Sequence, residues 1–452
     1  MSASLPISSA VRDALFAVRG AVSELDARAS GILFDRGFSA DPLAQDRVAE
    51  ILLRVRRDGD SALRALAHEL DGVDLDEIEV SRGACTRALE MLDPVVLRAM
   101  ERAADNIARV HSANPASAYE IEAESGVVVG RRPDPLMRAG VYAPGGRAAY
   151  PSSVLMGVIP ARIAGVREIV LCSPPTSGSG NPSSVVLAAA AIAGVDRVFA
   201  VGGAGAIAAM AYGTDTIPRV DRIVGPGNAY VAEAKLQVAR VVGTDAPAGP
   251  SELLVIVDEG GDPEFVAREM LAQAEHDDDA CVVCVTVGSE IARRVEQELH
   301  LLLKRQPRAS IIEAALATRG ALLEASSVDA ALRFAEAYAP EHLLLAVGDP
   351  EAVLPRVRNA GSIFLGPAAS VSFGDHMTGA NHVLPTGALA RSYSGLSTQD
   401  FIRWTTYQRV SPTAAERLAE DVAVFAEAEG LTAHADAARA WRAAPRPTEV
   451  TT

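Results

Sequence analysis

The sequence predicts an α/β protein: two Rossmann-like parallel α/β units in series, with a helical N-terminal segment before them and a helical C-terminal tail after. Three observations predict this. From about residue 126 to 386, short β-branched runs alternate with Gly/Pro turns and helix-patterned stretches, the rhythm of parallel strands joined by crossover helices. The composition, 49% hydrophobic but only 4% aromatic, suits layers packed from small aliphatic side chains. A chain of 452 residues is long enough for more than one sizeable core.

Residues 1–125 read as the helical segment. DRVAEILLRVRRDGDSALRALAHELDG carries apolar residues at helical spacing and stops at Asp71-Gly72. VVLRAMERAADNIARVHSAN continues that pattern up to Asn114-Pro115. The first α/β unit, 126–249, has strands at VREIVLCSPP, VDRVFAVGG and DRIVGPG, and helices at SSVVLAAAAIAG and AGAIAAMAYG. Ser173 to Ser184 is its linker-like stretch. The second unit, 250–386, has strands at ELLVIVDEG, CVVCVTVG, RGALLEA, HLLLAVG and GSIFLG, with a helix through FVAREMLAQAEH. From 387 to 452 the pattern is helical again and ends in a charged, Pro-containing tail.

A net charge of −16 argues against a nucleic-acid partner. The first twenty residues lack a basic region leading into an apolar one. The longest apolar run, 185–195, is too short to cross a bilayer. A cytoplasmic protein with no membrane partner is therefore expected. Cys281-Val-Val-Cys284 lies in the β-branched run DACVVCVTV, where positions three apart point to opposite faces of a strand. It reads as a buried strand rather than a metal or redox pair. Neither Cys85 nor Cys172 sits beside a His or a glycine turn, so no thiol nucleophile is expected.

Five of the eight histidines fall in short polar clusters that interrupt apolar sequence. They are Gln273-Ala-Glu-His276, Pro340-Glu341-His342, Asp375-His376, Asn381-His382 and Glu429-Gly-Leu-Thr-Ala-His434. Together these offer imidazole, carboxylate and amide oxygen, the donors of an N/O transition-metal site, with a carboxylate–imidazole pair left for proton transfer. Gly203-Ala-Gly205-Ala-Ile-Ala208 follows a strand and opens a helix, as a dinucleotide fingerprint does. Asp221 lies rather close to it for a ribose-binding acid. Two further turns, Gly140-Val-Tyr142-Ala-Pro-Gly-Gly146 and Gly225-Pro-Gly-Asn228, also fall at strand ends, where open α/β sheets bind ligands.

GVYAPGGRAAYPSSVLM, VGGAGAIAAMAYGT, VDRIVGPGNAYVAEAK, PAGPSELLVI, LAQAEHD, YAPEHLLL, AGSIFLG, GANHVLPT and EGLTAHADA occur in this order. Over roughly residues 20–440 the chain thereby resembles the histidinol dehydrogenase family. The resemblance implies a homodimer with shared active sites and one Zn2+ per subunit. It also implies oxidation of L-histidinol to L-histidine with two NAD, through L-histidinal, as the last step of histidine biosynthesis. It places the metal on Gln273, His276, Asp375 and His434, and the proton acceptors at Glu341 and His342. Ser251, His382 and Glu429 would contact substrate, with His342 and the metal ligands also touching it. Tyr142 and Asn228 would contact NAD. One departure stands out: where the family has glutamine, in the pattern VGGAQA, this chain has Gly205.

These roles suit the residue types. Gln273 and His276 are three apart in an expected helix and share a face; Asp375 is expected in a loop after a strand. A neutral imidazole, with its pKa near 6.5, suits His342 to take a hydroxyl proton. Glu341 is the candidate for activating the water that an aldehyde must add before a second oxidation. Pro340-Glu341 also reads as a helix start, with Pro in the first turn. His376 is not expected to reach the same ion as Asp375, and His68, His111 and His300 read as solvated. The resemblance further implies that the tail bearing Glu429 and His434 completes the partner's site.

Overall fold

The computed structural model describes residues 15–36, 42–145 and 149–443; Gly146 of the first glycine turn lies outside these. These described residues form two compact units, one from those within 15–113 and 136–401, the other from those within 114–135 and 402–443, a division that cuts across expected boundaries at 125 and 387. The larger unit contains two six-stranded sheets. In the first, the spatial order is Glu79–Val80, Arg197–Ala200, Glu168–Ser173, Arg138–Tyr142, Arg222–Val224 and Gly243–Thr244. Only Glu79–Val80 runs antiparallel to its neighbour. In the second the order is Val18–Ala21, Ala321–Ala325, Cys281–Val287, Glu252–Val257, His342–Ala346 and Ser362–Leu365, all parallel.

Numbered along the chain within each sheet, leaving aside Glu79–Val80 and Val18–Ala21, the five main strands of both sheets lie in the order third, second, first, fourth, fifth. The chain reverses direction of travel between first and fourth, which is where open α/β sheets form a crevice. Helices cover both faces, so a central strand is buried on both sides and reads as a continuous apolar run. Leu253 to Val257 is an example, with every residue fully buried.

The N-terminal segment is not wholly helical. Val18–Ala21 and Glu79–Val80 are strands that extend the outer edges of the two sheets. The linker-like stretch after Ser173 is the loop leading to the helix Ser184–Ala193. The smaller unit has a three-stranded antiparallel sheet in the order Ile402–Val410, Val127–Pro135, Tyr119–Glu124, so the tail expected to be helical contains a strand. Its two closing helices, Pro412–Ala428 and Thr432–Ala443, are the helical part expected. They pack through Ala423, Ala426 and Ala435. No helix among the described residues is long and apolar enough to cross a membrane.

Candidate active site

At the carboxyl ends of the first sheet's strands lies a cleft of about 810 Å3. Tyr142 closes the first strand, Asn228 follows the fourth, and the two flank the crevice at the order reversal. The fingerprint glycines line the same cleft, because Gly203 opens the helix Gly203–Tyr212 after the third strand. The Tyr142 hydroxyl accepts a hydrogen bond from Gly203 N at 3.0 Å. The Asn228 Oδ1 caps its helix by accepting from the amides of Tyr230 and Val231, both at 3.1 Å.

Gly225 has φ +114°, and a Cβ there would collide with the Tyr142 carbonyl oxygen, so only glycine lets these two strand ends meet. A buried Lys235–Asp245 ion pair grips that turn. Lys235 donates to Gly225 O at 2.7 Å, and Asp245 accepts from Gly225 N at 2.7 Å. Asp221 is committed to structure, accepting from Arg138 N at 2.9 Å. At Gly205 a Cβ would meet Leu66 Cδ1 at 3.2 Å, so a side chain at this position would press on the helix Pro42–Leu66.

The equivalent end of the second sheet is closed by its own chain. Asp258 accepts from Gly260 N at 2.9 Å and from Gly348 N at 3.1 Å, which ties the turns after two neighbouring strands together. The polar cluster of the second sheet lies instead at the amino ends of its strands. Ser251 precedes the strand Glu252–Val257, and His342 begins the strand His342–Ala346 beside it, paired with Leu253. Pro340-Glu341 therefore does not start a helix. The preceding helix ends at Tyr338, Ala339 turns the chain with φ +51°, and the strand follows.

Asp375 lies on a short helix, Val371–His376, rather than in a loop. Glu269 anchors that helix by accepting from Val371 N at 2.8 Å. Gly374 lets it approach Phe364, whose ring a Cβ would meet at 2.6 Å. Gln273 occupies the last turn of the helix Pro263–Ala274, and His276 comes just past its end, with its amide bonded back to Gln273 O at 3.3 Å.

Three imidazoles share one arrangement. His276 Nδ1 lies 3.1 Å from Gln273 O, His342 Nδ1 3.0 Å from Glu252 O, and His382 Nδ1 2.8 Å from Asp375 O. A carbonyl oxygen only accepts, so each Nδ1 carries the proton and each Nε2 is left for ligation or proton transfer. His342 Nε2 lies 3.6 Å from Asp375 Oδ1, and its Nδ1 lies 3.4 Å from Glu341 Oε2. Burial pushes His342 down, but Glu341 and Asp375 outweigh it and hold the imidazole well above its ordinary pKa. Burial likewise pushes Asp375 up, yet His342, His382 and His276 bring it below the ordinary carboxylate value. It is an ionised acid among imidazoles. Burial lowers the pKa of His382, which favours its neutral form.

Gln273 is only 2% exposed, and neither its amide oxygen nor its nitrogen has a hydrogen-bond partner. Buried amides are almost always bonded, and an orphan calls for an explanation. With the free Nε2 of His276 and the charged Asp375, this donor set fits a borderline cation such as zinc. Glu429 ends the helix Pro412–Ala428, and His434 lies in the first turn of the helix Thr432–Ala443. Both are exposed residues of the smaller unit. His376 is also exposed, with Nδ1 3.1 Å from Ser372 O. His68 and His300 are solvent-exposed, whereas His111 is partly buried.

The four thiols stand apart from this cluster's chemistry. Cys172, Cys281 and Cys284 are buried in strands. Burial pushes the Cys281 and Cys284 thiols up to about 12 and raises Cys172 and Cys85 as well. Such thiols are not nucleophiles near neutrality. Single Cys→Ala variants are expected to keep kcat while changing Tm at most; a stable variant with lost turnover would contradict this.

Sequence reasoning missed Glu252, Arg36 and Glu269, all buried at this site. The available signal was an acid at the head of the otherwise apolar run ELLVIV.

The profile of the histidinol dehydrogenase family matches residues 36–442. The chain is 46% identical over 409 residues to histidinol dehydrogenase of Methanosarcina barkeri, covering 90% of this chain and 94% of that one. To the Chromobacterium violaceum enzyme of the same name it is 46% identical, covering 88% and 92%. The crystal structure of histidinol dehydrogenase from Elizabethkingia anophelis superposes with a TM-score of 0.89 at 35% identity, over 95% of this chain and 98% of that one.

Proposed function

The chain belongs to the histidinol dehydrogenase family of NAD-dependent oxidoreductases, and we propose that it carries L-histidinol through L-histidinal to L-histidine at one zinc-holding site. The observation that carries this reading is the orphaned Gln273 amide alongside Asp375 and three imidazoles whose Nδ1 atoms are each held by a backbone carbonyl. Gln273, His276 and Asp375, completed by His434, would hold the ion. Two imidazoles, one carboxylate and a neutral amide leave the site net positive, as a substrate-binding rather than a sealed structural centre requires. Zinc there supplies positive charge that binds and orients the amino alcohol. NAD, in the cleft lined by Tyr142 and Asn228, supplies the hydride acceptor for each of two oxidations.

His342 takes the hydroxyl proton on Nε2 as the alcohol is oxidised, while its Nδ1–H stays on the Glu252 carbonyl. Were Asp375 to hold the cation, His342 would keep only Glu341 of the two carboxylates that raise its pKa, and the neutral base would be favoured. Glu341 takes a proton from the water that adds to the aldehyde, and protonated His342 gives its Nε2 proton to the former carbonyl oxygen, which resets the base. His342 then takes the proton of the resulting diol in the second oxidation. Ser251 and His382 contact the substrate, and the Glu429 carboxylate complements its ammonium group. Glu429 and His434 serve the site of the partner in a homodimer.

A strain that lacks this activity and is supplied with histidinol is expected to grow without histidine once it carries the chain. No growth, with folded chain present, would contradict the assignment.

A further inference from the structure

We propose that the buried ion pair Arg36–Glu252 is a positioning device that sets the geometry of Glu341 and His342; this rests on the proton-transfer roles proposed above. Glu252 is 1% exposed and Arg36 3%, and Arg36 Nη1 lies 2.5 Å from Glu252 Oε2. A pair so deeply buried is seldom the most stabilising way to fill space, since apolar side chains of similar volume often do better. Its contacts point to another use.

Glu252 reaches the proton-transfer residues through three separate groups. Its Oε2 accepts from Glu341 N at 3.2 Å, its own amide donates to Glu341 Oε2 at 2.7 Å, and its carbonyl takes the His342 Nδ1–H at 3.0 Å. The two glutamates thus clasp each other reciprocally, which holds one oxygen of Glu341. The carbonyl fixes the tautomer that frees His342 Nε2. Glu252 Oε1 accepts from Gly387 N at 2.8 Å, fastening the segment that follows His382.

Arg36 holds the other side of the same turn. Its guanidinium donates to the Tyr338 carbonyl and stacks on the Tyr338 ring, 3.4 Å from the centroid. Residues 338–342 are therefore gripped at both ends, across the left-handed Ala339. Neither Arg36 nor Glu252 is assigned contact with substrate or cofactor, so both act through the residues they hold.

Glu252→Gln keeps the size of the side chain but exchanges an acceptor for a donor, so it cannot serve Gly387 and Glu341 together. It is expected to lower kcat for histidinol about 10–100-fold while KM for histidinol and NAD and the zinc content stay near those of the parent. The double variant Arg36→Met/Glu252→Gln removes the unpaired charge and is expected to recover Tm but not kcat. If the pair serves stability alone, kcat returns together with Tm, or never falls, and the proposal is overturned. Should Glu252→Gln fail to fold, Arg36→Lys carries the test. It keeps the charge and loses the planar fork and ring stacking; lowered kcat at unchanged Tm supports the proposal, and unchanged kcat overturns it. The parent chain separates the two readings: no NADH from histidinol there refutes the assigned reaction rather than the pair's role.

Discussion

Replacing His342 by Asn is expected to lower kcat by roughly 10^2–10^4-fold, with histidinol and with histidinal alike. The substitution isolates one atom. An asparagine amide overlays the Nδ1 side of imidazole, so it can still donate to the Glu252 carbonyl that His342 Nδ1 reaches at 3.0 Å. It has nothing at the position of Nε2, the atom that faces Asp375. Fold and zinc content should therefore survive while proton acceptance is lost at both oxidations. Glu341→Gln is expected to act differently, because the role proposed for Glu341 is the hydration between them. That variant should still oxidise histidinol but release or accumulate histidinal. Single-turnover NADH formation from each substrate checks both. A His342→Asn enzyme impaired with only one of the two substrates would contradict the shared-base reading.

The second large effect concerns the smaller unit. If the chain forms the proposed homodimer, the His342→Ala and His434→Ala proteins are each expected to be nearly inactive, the first lacking the proposed base and the second a proposed metal ligand. If the tail serves the partner's site, a mixed dimer gathers both defects into one site and leaves the other whole. Half the sites of each mixed dimer should then be intact. Co-unfolding and refolding the two proteins together should restore about a quarter of parental activity, because random pairing makes half the dimers mixed. No recovery, with mixed dimers shown to form, would mean that each chain completes its own site.

Much of this was legible in the sequence, and the failures have physical causes. Central parallel strands are buried on both faces, so LLVIV and CVVCV could be read as unbroken apolar runs. The edge strands Val18–Ala21 and Glu79–Val80 are two to four residues long and partly polar, too brief to show any period. The imidazoles were legible because each interrupts apolar sequence. The placement of Asp375 was not, since a six-residue helix depends on Gly374 approaching Phe364 and on Glu269 reaching Val371 N. The Arg36–Glu252 pair joins residues far apart in sequence, and each alone reads as an ordinary charge. Nor did the strand pattern reveal that the polar cluster of the second sheet lies at the amino ends of its strands, while Asp258 takes the Gly260 and Gly348 amides at the carboxyl ends.

Two successive oxidations at one zinc-holding site fix the stoichiometry of the proposed reaction. The most direct test counts NADH formed per histidinol consumed, before chelation, after it, and after zinc is restored. Two NADH per histidinol, loss of turnover with the chelator and recovery with zinc are expected. One NADH per histidinol, or turnover indifferent to a chelator that has removed all bound metal, would contradict the proposed reaction.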